Sequence, residues 1–194
     1  MAQQYCIVVI IKYIDLTKKT IYLSTSTLYG YEMTNNPPRK YKQIAIVVKD
    51  IEAALKNWHE MLGIGPWAVR SFNPRTVRDF YVDGKLVTED FEFIIAVCWE
   101  GDIEWELIQP IKGPNIYWRH LETEGEGLHH VKEILPDEKI PQLIADFAAR
   151  GIPVIQTGWI DGDVHYYFDT KATLGYIYEL GNGGPISPAS RTYP

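Results

Sequence analysis

Four polar residues, each within an otherwise apolar segment, have the chemistry to hold a metal ion. They are Gln43, Glu106, His130 and Glu179. Two carboxylates, an imidazole and an amide oxygen suit a divalent ion of intermediate hardness, such as Zn²⁺, Ni²⁺, Co²⁺ or Mn²⁺. The two carboxylates would also neutralise the ion, which lowers the free energy cost of burying it. These four side chains therefore predict a metal site.

An internal repeat places the four residues at equivalent positions. His130 lies 87 residues after Gln43, and each is the first residue of an apolar strand. In both halves an acidic residue follows the strand, and a helical pattern comes next. Glu106 and Glu179, 73 residues apart, lie in the last strand of each half. The 14-residue difference between these offsets indicates a longer loop within residues 70–90. Taken singly, each residue also fits an exposed strand face or a hydrogen-bonded core group, but their joint placement favours the metal site.

The elements that must position these residues follow the same repeat. Apolar residues at helical spacing predict helices over 51–62 and 139–150, which Gly63 and Gly151 end. Strands are predicted at about 43–48, 67–72, 78–83, 90–99, 103–109, 130–135, 153–159, 164–168 and 175–180. Alternation along the strands sends the four polar residues to one face, which becomes a shared concave site if the two halves curl together.

We therefore predict an α+β fold of two tandem βαβββ modules. The modules span residues 41–112 and 127–182, within a domain over 39–184 that a tail over 185–194 follows. The preceding residues 1–38 differ, because two β-rich runs flank a polar turn and predict a hairpin. Two interpretations of this arm stay open. It adds strands to the domain or to a partner subunit, or Met33 is the natural start and the arm is an upstream extension.

Composition excludes several classes of protein. The chain has 194 residues and a net charge of −6, with 25 acidic and 19 basic residues, which argues against a general nucleic-acid binder. No segment approaches the roughly 20 apolar residues that span a bilayer, and no signal peptide precedes the domain, so a cytoplasmic protein is expected. Two cysteines, Cys6 and Cys98, cannot form a disulfide framework, which indicates a reducing compartment.

Four motifs resemble the vicinal-oxygen-chelate (glyoxalase/bleomycin-resistance) superfamily over residues 41–182. They are Gln43–Asp50 (QIAIVVKD), Glu106–Pro110 (ELIQP), Gly125–His130 (GEGLHH) and Tyr178–Leu180 (YEL). The resemblance implies the curled mixed sheet of that superfamily, a divalent metal held by the four residues above, and often a homodimer. The GLHH motif is similar to methylmalonyl-CoA epimerases, whereas the Gln/Glu/His/Glu ligand set resembles eukaryotic-type glyoxalase I. The substrate therefore stays open.

The resemblance also implies an enzyme that abstracts a proton next to a carbonyl group. A metal holding two substrate oxygens can stabilise the developing negative charge while a carboxylate takes the proton. Glu179 and Glu106 are the resembling bases, Glu92 is a candidate second base, and Glu104 is a further acidic candidate. The favoured activity is an acyl-CoA epimerase acting on a small acyl thioester. The alternatives are a lactoylglutathione lyase and a non-catalytic binding or resistance protein, which the complete ligand set disfavours.

Three further histidines have less specific interpretations. His129 is expected to support its neighbour His130 rather than to bind the metal. His120 and His165 lie in aromatic surroundings and could line a ligand pocket, although packing is the favoured role for both. A dioxygenase fits poorly, because its iron site needs two histidines and one carboxylate.

Overall fold

A computed structural model describes residues 8–15, 20–26 and 39–194 of the chain. The chain divides into two units, residues 1–38 and 39–194. In the first unit, β1 (Val8–Asp15) and β2 (Thr20–Ser26) pair antiparallel, as the hairpin prediction requires. Met33 and Cys6, on which two predictions bear, lie outside the described residues.

The second unit is built on one mixed sheet of eleven strands. Its elements in chain order are β3 (Tyr41–Val47), α1 (Ile51–Leu62), β4 (Trp67–Phe72), β5 (Arg78–Val82), β6 (Lys85–Leu86), β7 (Glu92–Glu100), β8 (Ile103–Lys112), α2 (Ile116–Thr123), β9 (Gly127–Ile134), α3 (Ile140–Ala149), β10 (Val154–Ile160), β11 (Asp163–Phe168), α4 (Lys171–Leu174), β12 (Ile177–Gly181) and β13 (Arg191–Tyr193). The predicted α+β fold with a mixed sheet is confirmed.

The two halves of this sheet have the same internal order. The first half runs β4-β7-β8-β3 and the second runs β10-β11-β12-β9. In each half the first strand pairs parallel with the last, β3 with β8 and β9 with β12. The halves meet where β3 and β9 pair antiparallel, with Ala45 opposite His130. The first strand of each module therefore lies at the centre of the sheet.

Each half is completed by a strand from elsewhere in the chain. The β5–β6 hairpin, within the region where a longer loop was predicted, pairs with β10 of the second half, with Tyr81 opposite Thr157. Strand β13, in the predicted tail, pairs with β4 of the first half, with Arg191 opposite Val69. The short, polar tail gave no strand signal in the sequence. Its backbone pairs because β4 otherwise presents an unpaired edge.

Helices α1 and α3 pack on one face of the sheet, whereas α2 packs on the opposite face, beside the site. Asp50 begins α1 by accepting hydrogen bonds from the backbone N–H groups of Glu52 and Ala53, at 3.0 and 3.1 Å. Side chains such as Leu55 and Leu107 form a core cluster on the α1 side, and a second cluster includes Phe168 on the α3 side. Among the described residues, no helix is long and apolar enough to cross a membrane.

Candidate functional site

The oxygens of three side chains converge on one nitrogen at the centre of the sheet. His130 Nε2 lies 2.8 Å from Glu179 Oε2, 3.2 Å from Glu106 Oε2 and 3.4 Å from Gln43 Oε1. Strand β9 supplies the histidine, while its neighbours β3 and β12 and the next strand, β8, supply the oxygens. All four side chains are buried. The four residues predicted from the repeat are thus brought together on one face.

Electrostatics favour the positively charged form of the central histidine. Burial alone lowers the pKa of His130, but the carboxylates of Glu179 and Glu106 outweigh it and raise that pKa to about 9. On its other side, His130 Nδ1 lies 2.8 Å from Nδ1 of the fully buried His129. Burial, followed by the nearby His130, lowers the pKa of His129 well below its ordinary value. A neutral His129 can therefore accept a hydrogen bond from His130 and orient its ring.

A buried lysine lies beside this cluster. Lys132 Nζ is 3.0 Å from Asp163 Oδ2 and 3.2 Å from Glu179 Oε1, and only 8% of the residue is exposed. Gly181 makes room for it, because a Cβ there would lie 2.6 Å from Lys132 Cε and 2.8 Å from the carbonyl oxygen of Val164. The lysine and His130 together outweigh the effect of burial and hold the pKa of Glu179 at about 2. Glu179 is therefore ionised.

Three residues of the cluster, Gln43, Glu106 and Glu179, line a cavity of about 500 Å³, whereas His130 is fully buried. Strand alternation sends Glu104 and Glu106 of β8 into this cavity, while Trp105 between them packs on the α1 side. Glu104 Oε1 accepts a hydrogen bond from Gln43 Nε2 at 2.5 Å. Burial, and next the charge of Glu106, raises the pKa of Glu104 to about 7. The cavity thus contains a carboxyl group that can gain or lose a proton near neutral pH.

Glu92, predicted as a second base, lies outside the cavity. It is the first residue of β7 and is out of phase with Ile95 and Val97, which do line the cavity. Its carboxylate accepts a hydrogen bond from Ser71 Oγ at 2.9 Å and borders a separate groove of about 330 Å³. The structure therefore brings Glu106 and Glu179 to the cavity but not Glu92.

The donor set fits a divalent ion, although the side chains are arranged around the histidine nitrogen itself. In residues 39–194 and the two described strands of the arm, no three His, Cys, Asp or Glu side chains surround a common metal position. Glu179 Oε2 is buried and faces His130 Nε2 at 2.8 Å without an aligned hydrogen bond, so it would be available to coordinate once the histidine gives up its proton. Metal binding would replace the histidine proton, because imidazole binds metals in its neutral form. On this chemistry Gln43, Glu106, His130 and Glu179 would hold the ion.

Alternation along β9 and β11 supplies cavity residues beyond the predicted ligands and bases. Lys132 follows His130 by two residues, and Asp163, His165 and Tyr167 alternate along β11. Tyr167 meets Tyr117 of α2, with 2.9 Å between their hydroxyl oxygens. His165, for which packing was the favoured role, lines the cavity. The period-two pattern of these strands was the signal that could have identified them.

Replacing His165 by glutamine is expected to make the fold less sensitive to acid. Burial lowers the pKa of His165 to about 4, so between pH 6.5 and 4 the unfolded chain binds a proton that the folded chain does not. Stability therefore falls as the pH falls, by up to about 3 kcal/mol from this residue, and His165→Gln should remove that part. Urea unfolding with chelator at several pH values measures it. The exposed His59→Gln is the control, and parallel losses in His165→Gln and the wild type would contradict the expectation.

Comparisons with known proteins agree with this architecture. Residues 42–168, more than half of the chain, match the family model described as the Glyoxalase/Bleomycin resistance protein/Dioxygenase superfamily. No curated protein matches the chain. Among solved structures, a hypothetical protein from Bacillus halodurans is similar with 18% identity and a TM-score of 0.55, over 75% of this chain and 94% of that one.

Two similar structures are methylmalonyl-CoA epimerases. The enzyme from Mycobacterium tuberculosis has 14% identity and a TM-score of 0.52, over 77% of this chain and 89% of its own. A variant of the Streptomyces coelicolor enzyme in complex with 2-nitronate-propionyl-CoA has 16% identity and a TM-score of 0.53, over 78% of this chain and 100% of its own. At these identities the similarity shows a shared fold.

Proposed function

The chain belongs to the Glyoxalase/Bleomycin resistance protein/Dioxygenase superfamily, and from this premise we propose that it is a metal-dependent enzyme that moves the proton next to the carbonyl group of an acyl thioester. An acyl-coenzyme A epimerase is the favoured activity. One observation carries the proposal: the oxygens of Gln43, Glu106 and Glu179, three residues that line a cavity, converge on Nε2 of the buried His130.

Two further observations support a thioester substrate. Solved structures with the same fold include methylmalonyl-CoA epimerases, one of them in complex with an acyl-coenzyme A analogue. The Gly125–His130 motif, which leads into β9, resembles the same enzymes. The cavity of about 500 Å³ lies within the usual size range of small-molecule sites. A homodimer stays a prediction from the family resemblance, which the mass of the protein in solution tests.

The residues around the cavity have different chemical roles. Gln43, Glu106, His130 and Glu179 would hold a divalent ion, which when bound supplies stabilisation of negative charge on a substrate oxygen. Lys132 carries a fixed positive charge beside Glu179 and lines the same cavity. Its ammonium has three N–H donors and two carboxylate partners, which leaves one donor for a substrate oxygen. The chain therefore offers its own positive charge to a developing anion.

Glu104 is the best-placed carboxyl group to exchange a proton with the substrate. It lines the cavity, and Gln43 Nε2 holds its orientation with a hydrogen bond. Its pKa of about 7 suits proton transfer in both directions at neutral pH, whereas the pKa of Glu179, at about 2, makes that residue a weak base. Glu104 lies on β8 and Glu179 on β12, with β3 and β9 between them. The carboxyl group suited to proton exchange and the carboxylate suited to holding the ion therefore lie on different strands of the cavity wall.

Solvent-deuterium exchange into a panel of thioesters tests the proposal. We expect the protein loaded with Zn²⁺, Ni²⁺, Co²⁺ or Mn²⁺ to exchange the α-hydrogen of a 2-substituted acyl-coenzyme A. Chelation should reduce the exchange to the uncatalysed rate, and the divalent ion should restore it, because the site loses its electrophile without the metal. Mass spectrometry measures deuterium uptake, and elemental analysis measures bound metal.

Three outcomes would contradict the proposed function or favour one of its alternatives. Exchange that survives complete metal removal contradicts a metal-dependent reaction. Activity on the hemithioacetal of glutathione and methylglyoxal, with no exchange into coenzyme A thioesters, favours the lactoylglutathione lyase, whose ligand set the chain resembles. Tight binding of a thioester without any exchange favours a binding or resistance protein.

A further inference from the structure

A second depression, of about 360 Å³, adjoins the cavity and is lined by three arginines. We call it the arginine groove; its arginines are Arg70, Arg75 and Arg78. Residues that line both the groove and the cavity are Arg70, Phe72, Ile160 and Ile186. The two depressions therefore form one continuous surface, so a single extended ligand can occupy both.

The balance of charged side chains changes along this path. The cavity wall contains four carboxyl groups, those of Glu104, Glu106, Asp163 and Glu179, together with the cations of Lys42, Arg70 and Lys132. The groove contains one acidic side chain, Asp161, among its lining residues. That carboxylate accepts a hydrogen bond from the backbone N–H of Ser187 at 2.7 Å, which lowers its pKa. Three guanidinium groups in a chain of net charge −6 thus form a local basic surface.

The arginines are held in place by contacts that leave donors free. Arg70 uses its Nε to donate to the carbonyl oxygen of Ser187 at 3.0 Å, which leaves its terminal nitrogens available. The guanidinium of Arg78 lies 4.6 Å from the centre of the Trp159 ring, and its ion pair with Asp79 is exposed and therefore weak.

Arg75 projects from a turn that hydrogen bonds hold in shape. Asn73 Oδ1 accepts from the backbone N–H of Arg75 at 3.0 Å, and the backbone N–H of Asn73 donates to Thr76 Oγ1 at 2.9 Å. The groove hydroxyls of Ser71, Thr76 and Ser190 already donate their protons within the protein. The guanidinium groups, held on this ordered frame, are therefore the donors available to a phosphate.

We propose that the arginine groove binds the phosphate groups at the nucleotide end of a coenzyme A thioester whose acyl end lies in the cavity. This inference rests on the proposed function and adds to it the part of the substrate that this chain recognises. The nucleotide of coenzyme A carries a pyrophosphate and a 3′-phosphate, whereas glutathione carries two carboxylates and one ammonium group. Because the nucleotide brings more negative charge to the guanidinium groups, the groove favours coenzyme A thioesters over glutathione thioesters.

Binding of a nucleotide fragment tests the groove without any catalysis. Calorimetry measures the affinity of the metal-free protein for adenosine 3′,5′-bisphosphate, with inorganic phosphate as a second ligand. The double variant Arg75→Gln/Arg78→Gln is expected to bind the bisphosphate about 10- to 100-fold more weakly, because two charge-assisted contacts are lost. The control Lys139→Gln/Arg150→Gln removes the same charge at exposed positions outside the groove and should bind as the wild type does.

A second experiment compares the thioester of coenzyme A with the same thioester of pantetheine, which lacks the nucleotide. In the groove variant we expect KM for the coenzyme A thioester to rise about 10- to 100-fold with kcat unchanged. Exchange into the pantetheine thioester should keep its wild-type rate. A variant that binds the bisphosphate as tightly as the wild type, or no more weakly than the control variant, overturns the proposal. Equal affinity for inorganic phosphate and the bisphosphate does the same, because it indicates a site for a single free phosphate.

The outcomes separate this inference from the proposed function. If the arginines bind the bisphosphate but no thioester exchanges deuterium, the phosphate subsite is supported and the proposed reaction is contradicted. If both thioesters exchange with equal efficiency and the arginine variant changes neither exchange rate, the proposed reaction is supported and the phosphate subsite is contradicted.

Discussion

Substitution of Glu179 by glutamine is expected to reduce the rate of α-proton exchange about 100- to 10,000-fold and to lower the metal content of the purified protein. The carboxylate lies 2.8 Å from His130 Nε2 and 3.2 Å from Lys132 Nζ, so it provides the negative charge between two cationic groups. An amide of the same shape keeps the packing but loses that charge. Deuterium uptake and metal analysis on the same preparation measure the two effects separately.

A matched control isolates the site from the general effect of losing a charge. Glu138 is exposed just before α3, so Glu138→Gln should exchange protons and bind metal as the wild type does. Wild-type exchange and wild-type metal content in Glu179→Gln would together remove Glu179 from the site. Normal metal content with slow exchange would instead restrict its role to the reaction.

Substitution of Lys132 by methionine is expected to lower the free energy of unfolding by about 3–5 kcal/mol in the absence of metal. Methionine fills a similar volume, but the buried carboxylates of Asp163 and Glu179 then lose their shared cation. Adding Asp163→Asn should recover part of the loss, because one uncompensated charge is removed. A divalent ion should recover stability too, since an ion that binds only the folded chain stabilises it. Urea unfolding with and without metal measures both effects.

The exposed Lys139 provides the control for this substitution. Lys139→Met should change stability by no more than about 0.5 kcal/mol, as surface substitutions usually do. Unchanged stability in Lys132→Met would show that the ion pairs contribute nothing net. A double variant no more stable than Lys132→Met would show that Asp163 is not the uncompensated group.

Periodicity in the sequence predicted α1, α3, the strands of the two modules and the common face of the four central residues, but it gave no sign of α2 or β13. The repeat that aligned Gln43 with His130 reflects two modules that pair through β3 and β9. Apolar spacing located α1 at its observed bounds, Ile51–Leu62. These features are local patterns that occur in both modules. A period of 2 or 3.6 residues identifies a strand or a helix and shows which residues share a face.

Pairing between distant side chains could not be predicted in the same way. The pattern places Lys132 on the face of His130, but it does not show that Asp163 and Glu179 would neutralise it in the interior. Glu92 illustrates the converse, because a motif resemblance selected it and its position at the start of β7 directs it to Ser71 instead. Such contacts depend on how strands from different parts of the chain curve together.

The pairing of β13 with β4 has a consequence for how the protein is made. Ser190 Oγ donates to the carbonyl oxygen of Val69 across a sequence separation of 121 residues. A ribosome releases the chain from its N-terminal end, so the backbone edge of β4 stays uncovered until the residues around 190 have emerged. Contacts of such long separation slow folding, and an uncovered strand edge invites pairing with other chains. The first half of the sheet is therefore synthesised early but completed last, and nascent chains that stall before residue 190 present the edge of β4 to other chains.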